Sequence, residues 1–176
     1  MEIKFRTLRE GEIELRVAQI SDKGAQLLMY KDARCDMNIL DETVGASNWQ
    51  RRHVRDNANC IVSIWDKEKS QWIDKEDTGT ESNTEAEKGL ASDSFKRACV
   101  NWGIGRELYS SPFIWLKPEV VNIKPGKNGK MATYDKFSVE KIAYDENRNI
   151  SGLAIRNDTK GVRAYVWQAQ KKGENK

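Results

Sequence analysis

The stretch NTEAEKGLASDSFKRACVNWGIGRELY, Asn83 to Tyr109, constrains the fold more than any other part of the chain. At about 100° per residue, Ala91, Phe95, Ala98, Cys99 and Trp102 fall on one face, so a helix here has an apolar stripe to bury against another layer. Ser82 with Glu85, and Thr84 with Glu87, have the spacing of capping boxes and set its start. Gly103 and Gly105 set its end, because glycine takes the left-handed cap without steric cost, and RELY adds a short turn. On the same wheel Arg97 lies nearly opposite Phe95, with Lys96 on the flank beside it. Both cations are expected to stay in water.

The rest of the chain supplies sheets. EIELRV alternates as a half-buried strand, with Ile13, Leu15 and Val17 on one face and Arg16 on the other. Lys31 to Val44 reads as a helix with Ala33, Met37, Leu40 and Val44 at helical spacing, capped by Asp32 and stopped at Gly45. SNWQRRHVR reads as a strand. NCIVSIW and QWIDKED read as two strands joined by the hairpin-length DKEKS, with Trp65 and Trp72 paired across it. After SSPFIWLKPEVVNI and the Pro/Gly loop KPGKNGK, three alternating segments (FSVEKIAYD, NISGLAIRND and RAYVWQ) predict an antiparallel meander. The expected class is α+β: an antiparallel sheet and hairpin packed on a long helix, with a C-terminal meander. The expected division is 1–112 as the main domain and 113–176 as meander extension and basic tail.

Composition narrows the chemistry. The 176 residues suit one domain, and no apolar run approaches the roughly 20 residues of a membrane span. The N-terminal segment has charges where a signal peptide has its apolar centre, so the expected location is the cytoplasm. Three widely spaced cysteines, Cys35, Cys60 and Cys99, without a CxxC pair, predict buried free thiols. With a single histidine, His53, most histidine-based metal and triad chemistry is excluded. The net charge of +3 decides little. Its distribution is more informative: positive charge gathers in RRHVR, which offers Arg51 and Arg55 to an anion, in FKR and in the tail, while DKEDTGTESNTEAE is acidic.

Two nucleotide motifs fail on spacing and context. GKNGK is not a phosphate-binding loop, and GIGRE follows a helix where a dinucleotide fingerprint opens one. A divalent-metal nuclease built on Asp74, Glu85 and Lys88, with Glu76 or Asp77 as further carboxylates, imitates the carboxylate pair plus lysine of two-metal phosphodiesterases. Against it, Glu85 and Glu87 lie in a first helical turn, where they complement the dipole and close capping boxes. A groove for single strands needs cations along a backbone and aromatic surfaces for bases. Lys88 two turns before Lys96, Arg16 on a strand and Tyr30 at the first helix are the residues available to build one.

YKDARCDMNILDETVGASNW, WIDKEDTGTESNTEAEKG and above all SDSFKRACVNWGIG, in this order and spacing, resemble the single-strand annealing proteins of the Rad-fifty-two type, a group that includes phage Sak-like and bacterial DdrA-like members. The resemblance runs from about Glu12 to Tyr109, and the phage and Firmicutes branch is the most similar. It implies ring-forming protomers that bind single-stranded DNA in a positive groove and anneal complementary strands in recombination and repair. No ATP, metal or other cofactor is implied, and the protein is not expected to be an enzyme. Carried across residue by residue, Lys96 and Arg97 match the backbone-binding pair, Lys88 another basic groove position, Tyr30 an aromatic before the first helix and Arg16 an arginine on the preceding strand. Val100 stands where eukaryotic members have a further arginine. The implied partners are single-stranded DNA, other copies of the chain and a single-strand binding protein, with duplex DNA as a second ligand and no membrane.

Overall fold

The computed structural model describes residues 3–80, 86–126 and 129–170, with 86–88 described by backbone alone. Its class is α+β, with antiparallel sheets and two helices. The chain divides into two compact units, Met1–Thr7 with Asp32–Arg106 and Leu8–Lys31 with Glu107–Lys176. The boundary expected from sequence, at 112/113, falls inside the second unit. No helix among the described residues is long and apolar enough to cross a membrane.

The first unit contains helix α1 (Ala33–Val44), and Asp32 caps it by accepting a hydrogen bond from the Cys35 amide at 2.9 Å. At its other end Gly45 has φ of 89°, a conformation that a side chain disfavours. The buried face of α1 is Cys35, Asp36, Ile39 and Leu40, not the expected set of Ala33, Met37, Leu40 and Val44. The two sets are rotated by about one residue because the polar Asp36 lies inside. Strands β3 (Trp49–Val54), β4 (Asn59–Asp66) and β5 (Gln71–Thr78) follow, β4 lying centrally. At the β4–β5 turn Asp66 accepts from the amides of Glu68 and Lys69, and Trp65 meets Trp72 edge to face at 5.5 Å. Helix α2 (Ala86–Trp102) lies against β4 and β5. The capping residues expected at 82–85 lie outside the described residues.

The second unit holds β1 (Glu14–Ser21), β2 (Gly24–Tyr30) and β6 (Ile114–Leu116) in the order β1-β2-β6. The short strands β7 (Lys124–Pro125) and β8 (Met131–Ala132) pair with each other. The expected meander is present as β9 (Phe137–Tyr144), β10 (Ile150–Asn157) and β11 (Val162–Gln168), ordered β11-β10-β9. Neither β2 nor β6 was legible as a strand. Ala25, Leu27 and Met29 from β2, Ile114 and Leu116 from β6, and Leu153 and Ile155 from β10 are buried in this unit.

A polar network stands inside the second unit. Asp135 accepts from the backbone and side chain of Asn122, both at 2.8 Å, and from the side chain of the fully buried Asn157 at 2.7 Å. Burial pushes the Asp135 carboxyl up, but those hydrogen bonds outweigh it and hold it below 3.8. A carboxylate lowered in the fold contributes stability above its unfolded value, and this is lost as pH falls through the lower folded value. Asp135→Asn is therefore expected to cost about 1–2 kcal/mol at neutral pH. Urea titrations should also show a shallower loss of stability for the variant below pH 3.8.

Candidate nucleic-acid interface

Strand register assigns each side chain of the first unit's sheet to a face. Arg51 pairs with Val62 and Val62 with Lys75, so these three share a face with Trp49, His53, Cys60, Ile64, Ile73 and Asp77. This is the face that α2 covers. Phe95 is fully buried, 6.2 Å from Trp49 between ring centroids, and the Arg51 guanidinium lies 4.8 Å from its ring centre. The Trp102 indole donates to the Val62 carbonyl at 2.9 Å, and Lys75 crosses its ring at 4.6 Å. Ala98 and Cys99 are buried beside them. The stripe expected for α2 thus meets the sheet. At Gly79 a Cβ would lie 2.6 Å from the Ser94 amide, so the chain leaving β5 presses directly on the helix backbone.

Burying this stripe fixes the direction of the cations. Lys96 is half-buried, and among the described residues no carboxylate lies within ion-pair distance of it. Arg97 is exposed and turns towards β5, its Nε 3.5 Å from Asp77. Asp77 also accepts from Asn101 at 3.3 Å. A pair this open is worth roughly 0–1 kcal/mol. It leaves the guanidinium free to exchange Asp77 for a phosphate at little cost. Lys88 lies two turns earlier on α2 and is described by its backbone alone.

The RRHVR cluster is split by the strand. Arg51 faces α2 and stacks on Phe95, whereas Arg52 points to the opposite face. Arg55 is exposed at the β3–β4 turn, where Arg55, Asp56 and Asn57 all have positive φ, of 54°, 51° and 68°. The turn is held because the Asn57 carbonyl accepts from the Ser94 hydroxyl at 3.1 Å on α2. Burial, followed by the Arg51 charge, lowers the pKa of His53, so this imidazole favours its neutral form.

Arg16 and Tyr30 belong to the second unit, on β1 and β2, with the Arg16 guanidinium 5.1 Å from the centre of the Tyr30 ring. Arg16 also pairs with Glu14 at 2.9 Å. The structure therefore brings two sets together, Lys96, Arg97 and Lys88 on one helix, and Arg16 with Tyr30 on one sheet.

The nuclease constellation does not assemble as expected. Asp74 pairs with Ser63 and Glu76 with Ile61, on the sheet face opposite α2, so Asp74 points away from the helix that carries Lys88. Glu76 accepts from Asn59 at 2.6 Å. Asp77 alone of the three faces α2, and Arg97 and Asn101 engage it. Glu85 lies outside the described residues. Cys35, Cys60 and Cys99 are free and buried, and burial raises the Cys60 thiol to about 11.

A family model described as Rad52/22 family double-strand break repair protein matches residues 66–128, about a third of the chain. The matched span contains Lys88, Lys96 and Arg97, and excludes Arg16, Tyr30, Arg51 and Arg55. No curated protein matches the chain, and no solved structure does.

Proposed function

We propose that this chain is a single-strand annealing protein of the Rad52/22 type, one that binds single-stranded DNA and pairs complementary strands in recombination and repair. One observation carries the reading: a Lys-Arg pair projects from a helix whose opposite face is locked on a sheet, inside the segment that matches the family. Two bare strands repel each other. Cations that neutralise phosphates and hold the bases outward remove that barrier to trial pairing, and the second strand then reads the sequence. These steps need no ATP, metal or covalent intermediate. Lys96 and Arg97 act on phosphates, Lys88 and Arg55 extend the positive track, and copies of the chain assembled in a ring join short tracks into a long one. The phage-type setting, a single-strand binding protein as partner and a cytoplasmic location are parts of the same proposal.

The test is binding to oligonucleotides of several sequences at several salt concentrations. Lys96→Ala and Arg97→Ala are each expected to weaken binding to all sequences alike and to flatten the slope of log K against log salt by roughly one. Stability should change by less than about 0.5 kcal/mol. Unchanged binding by both variants, with native circular dichroism, would remove α2 from the DNA site. Light scattering tests the ring: a stable monomer that still anneals complementary strands would sink it.

A further inference from the structure

The sheet β1-β2-β6 is one-sided in an unusual way. On its inner face Ala25, Leu27, Met29, Ile114 and Leu116 are buried, whereas Val17 of β1, beside Leu27, is 38% exposed. By strand alternation, the outer face of β2 is Gly24, Gln26, Leu28 and Tyr30. In register with these stand Arg16 beside Leu28, Gln19 beside Gln26 and Trp115 beside Gln26. Water meets a large apolar share of this face, since Phe113 is 67% exposed, Leu28 40% and Tyr30 38%.

The aromatic members are held in place. A Cβ on Gly24, at φ of +146°, would meet the Trp115 ring at 2.8 Å and the Leu116 carbonyl at 2.3 Å, so the indole lies flat on a position that only glycine leaves open. Phe113 runs nearly parallel to Trp115, with 9° between planes and 6.3 Å between centroids. The Tyr165 hydroxyl donates to the Phe113 carbonyl at 3.0 Å and fixes the backbone beneath the ring. At the other end of the row Arg16 covers Tyr30 at 5.1 Å and pairs with Glu14, which stands beside Tyr30 in register. Between the rings, Gln19 and Gln26 make no side-chain hydrogen bond among the described residues, so their amides can both donate and accept.

We propose that the Phe113–Trp115 end of this outer face is a stacking platform for the unpaired bases of single-stranded DNA, a role that rests on the annealing reading above. Two nearly parallel rings give an unpaired base a flat apolar surface for its face and leave its pairing edge outward. A protein partner favours a closed, shape-matched apolar core. This face instead offers separated rings with polar groups between them. The platform supplies base contact without a sequence code, because every base has a π face.

The experiment uses the full chain and two labelled oligonucleotides of equal length, one of thymidines and one of abasic sites with the same phosphates. The parent protein is expected to bind the thymidine strand more tightly. Phe113→Ala should weaken that binding by about 5- to 100-fold and leave the abasic strand unaffected. Phe113→Tyr should keep the preference and Phe113→Leu should lose it, which separates stacking from apolar burial. Equal losses on both strands, no loss on either, or a change in assembly mass by light scattering without a change in base preference would each overturn the platform, the last by marking the face as a contact between copies. A parent protein that binds neither strand overturns the annealing reading and the platform with it, whereas one that binds both strands equally overturns the platform alone.

Discussion

Phe95→Ala is expected to destabilise the protein by about 3–5 kcal/mol. The ring is fully buried, packs on Trp49 and carries the Arg51 guanidinium on its face. Truncation loses the transfer energy of the ring and leaves a cavity between α2 and the sheet. It also strips Arg51 of a cation–π contact worth roughly 0.5–2 kcal/mol. Urea unfolding followed by circular dichroism and tryptophan fluorescence measures the loss, and Phe95→Leu should lose less because it fills more of the space. Should Phe95→Ala remain as stable as the parent yet fail to bind DNA, the two sides of α2 have been assigned the wrong way round, and Lys96 and Arg97 would lose their place in the site.

The second large effect is expected at Glu107, whose carboxylate is fully buried. It accepts from the Leu8 amide at 2.7 Å and lies 3.5 Å from Arg148. The Leu8 carbonyl in turn accepts from the Tyr144 hydroxyl at 2.8 Å, so one carboxylate organises the segment before β1 and the end of β9. Glu107→Ala leaves the Leu8 amide buried without an acceptor and should cost about 1–3 kcal/mol. Glu107→Gln keeps an oxygen for that amide and should cost less. A second readout separates charge from packing. Burial first, and then the charge of Glu107, raise the pKa of Tyr144 above the ordinary tyrosine value of 10.0. A phenol held neutral by the fold contributes stability that is complete below that value and is lost as pH rises through the folded one. In Glu107→Gln one cause of the raised value is gone, so ultraviolet titration should find Tyr144 ionising at lower pH. An unchanged Tyr144 titration would remove the charge of Glu107 from the causes.

The sequence by itself determined what depends on neighbours along the chain. Asp32 three residues before Cys35 is sufficient for the cap of α1, and the spacing of Phe95, Ala98, Cys99 and Trp102 is sufficient for the buried stripe of α2. Trp65 opposite Trp72 and the three strands of the meander follow equally from local turns and alternation. The exposure of Arg97 was legible for the same reason, since a helix wheel turns it from the apolar face, whereas Lys96, expected to stay in water, is half-buried, and the reach of Arg97 to Asp77 on β5 was not legible. Tertiary structure alone decided what depends on distant partners. AQLLMY has no polar alternation, so β2 was hidden until β1 and β6 flanked it, and the three residues of β6 are too few to carry a periodic signal. The side of the sheet taken by Arg51 against Arg52, and by Asp77 against Asp74, is a parity that a one-residue change of register reverses. Asp36 is polar yet fully buried, which the helical spacing of apolar residues does not reveal. The outer face sets Gln26 beside Trp115, residues more than eighty positions apart, and only the pairing of β2 with β6 makes them neighbours.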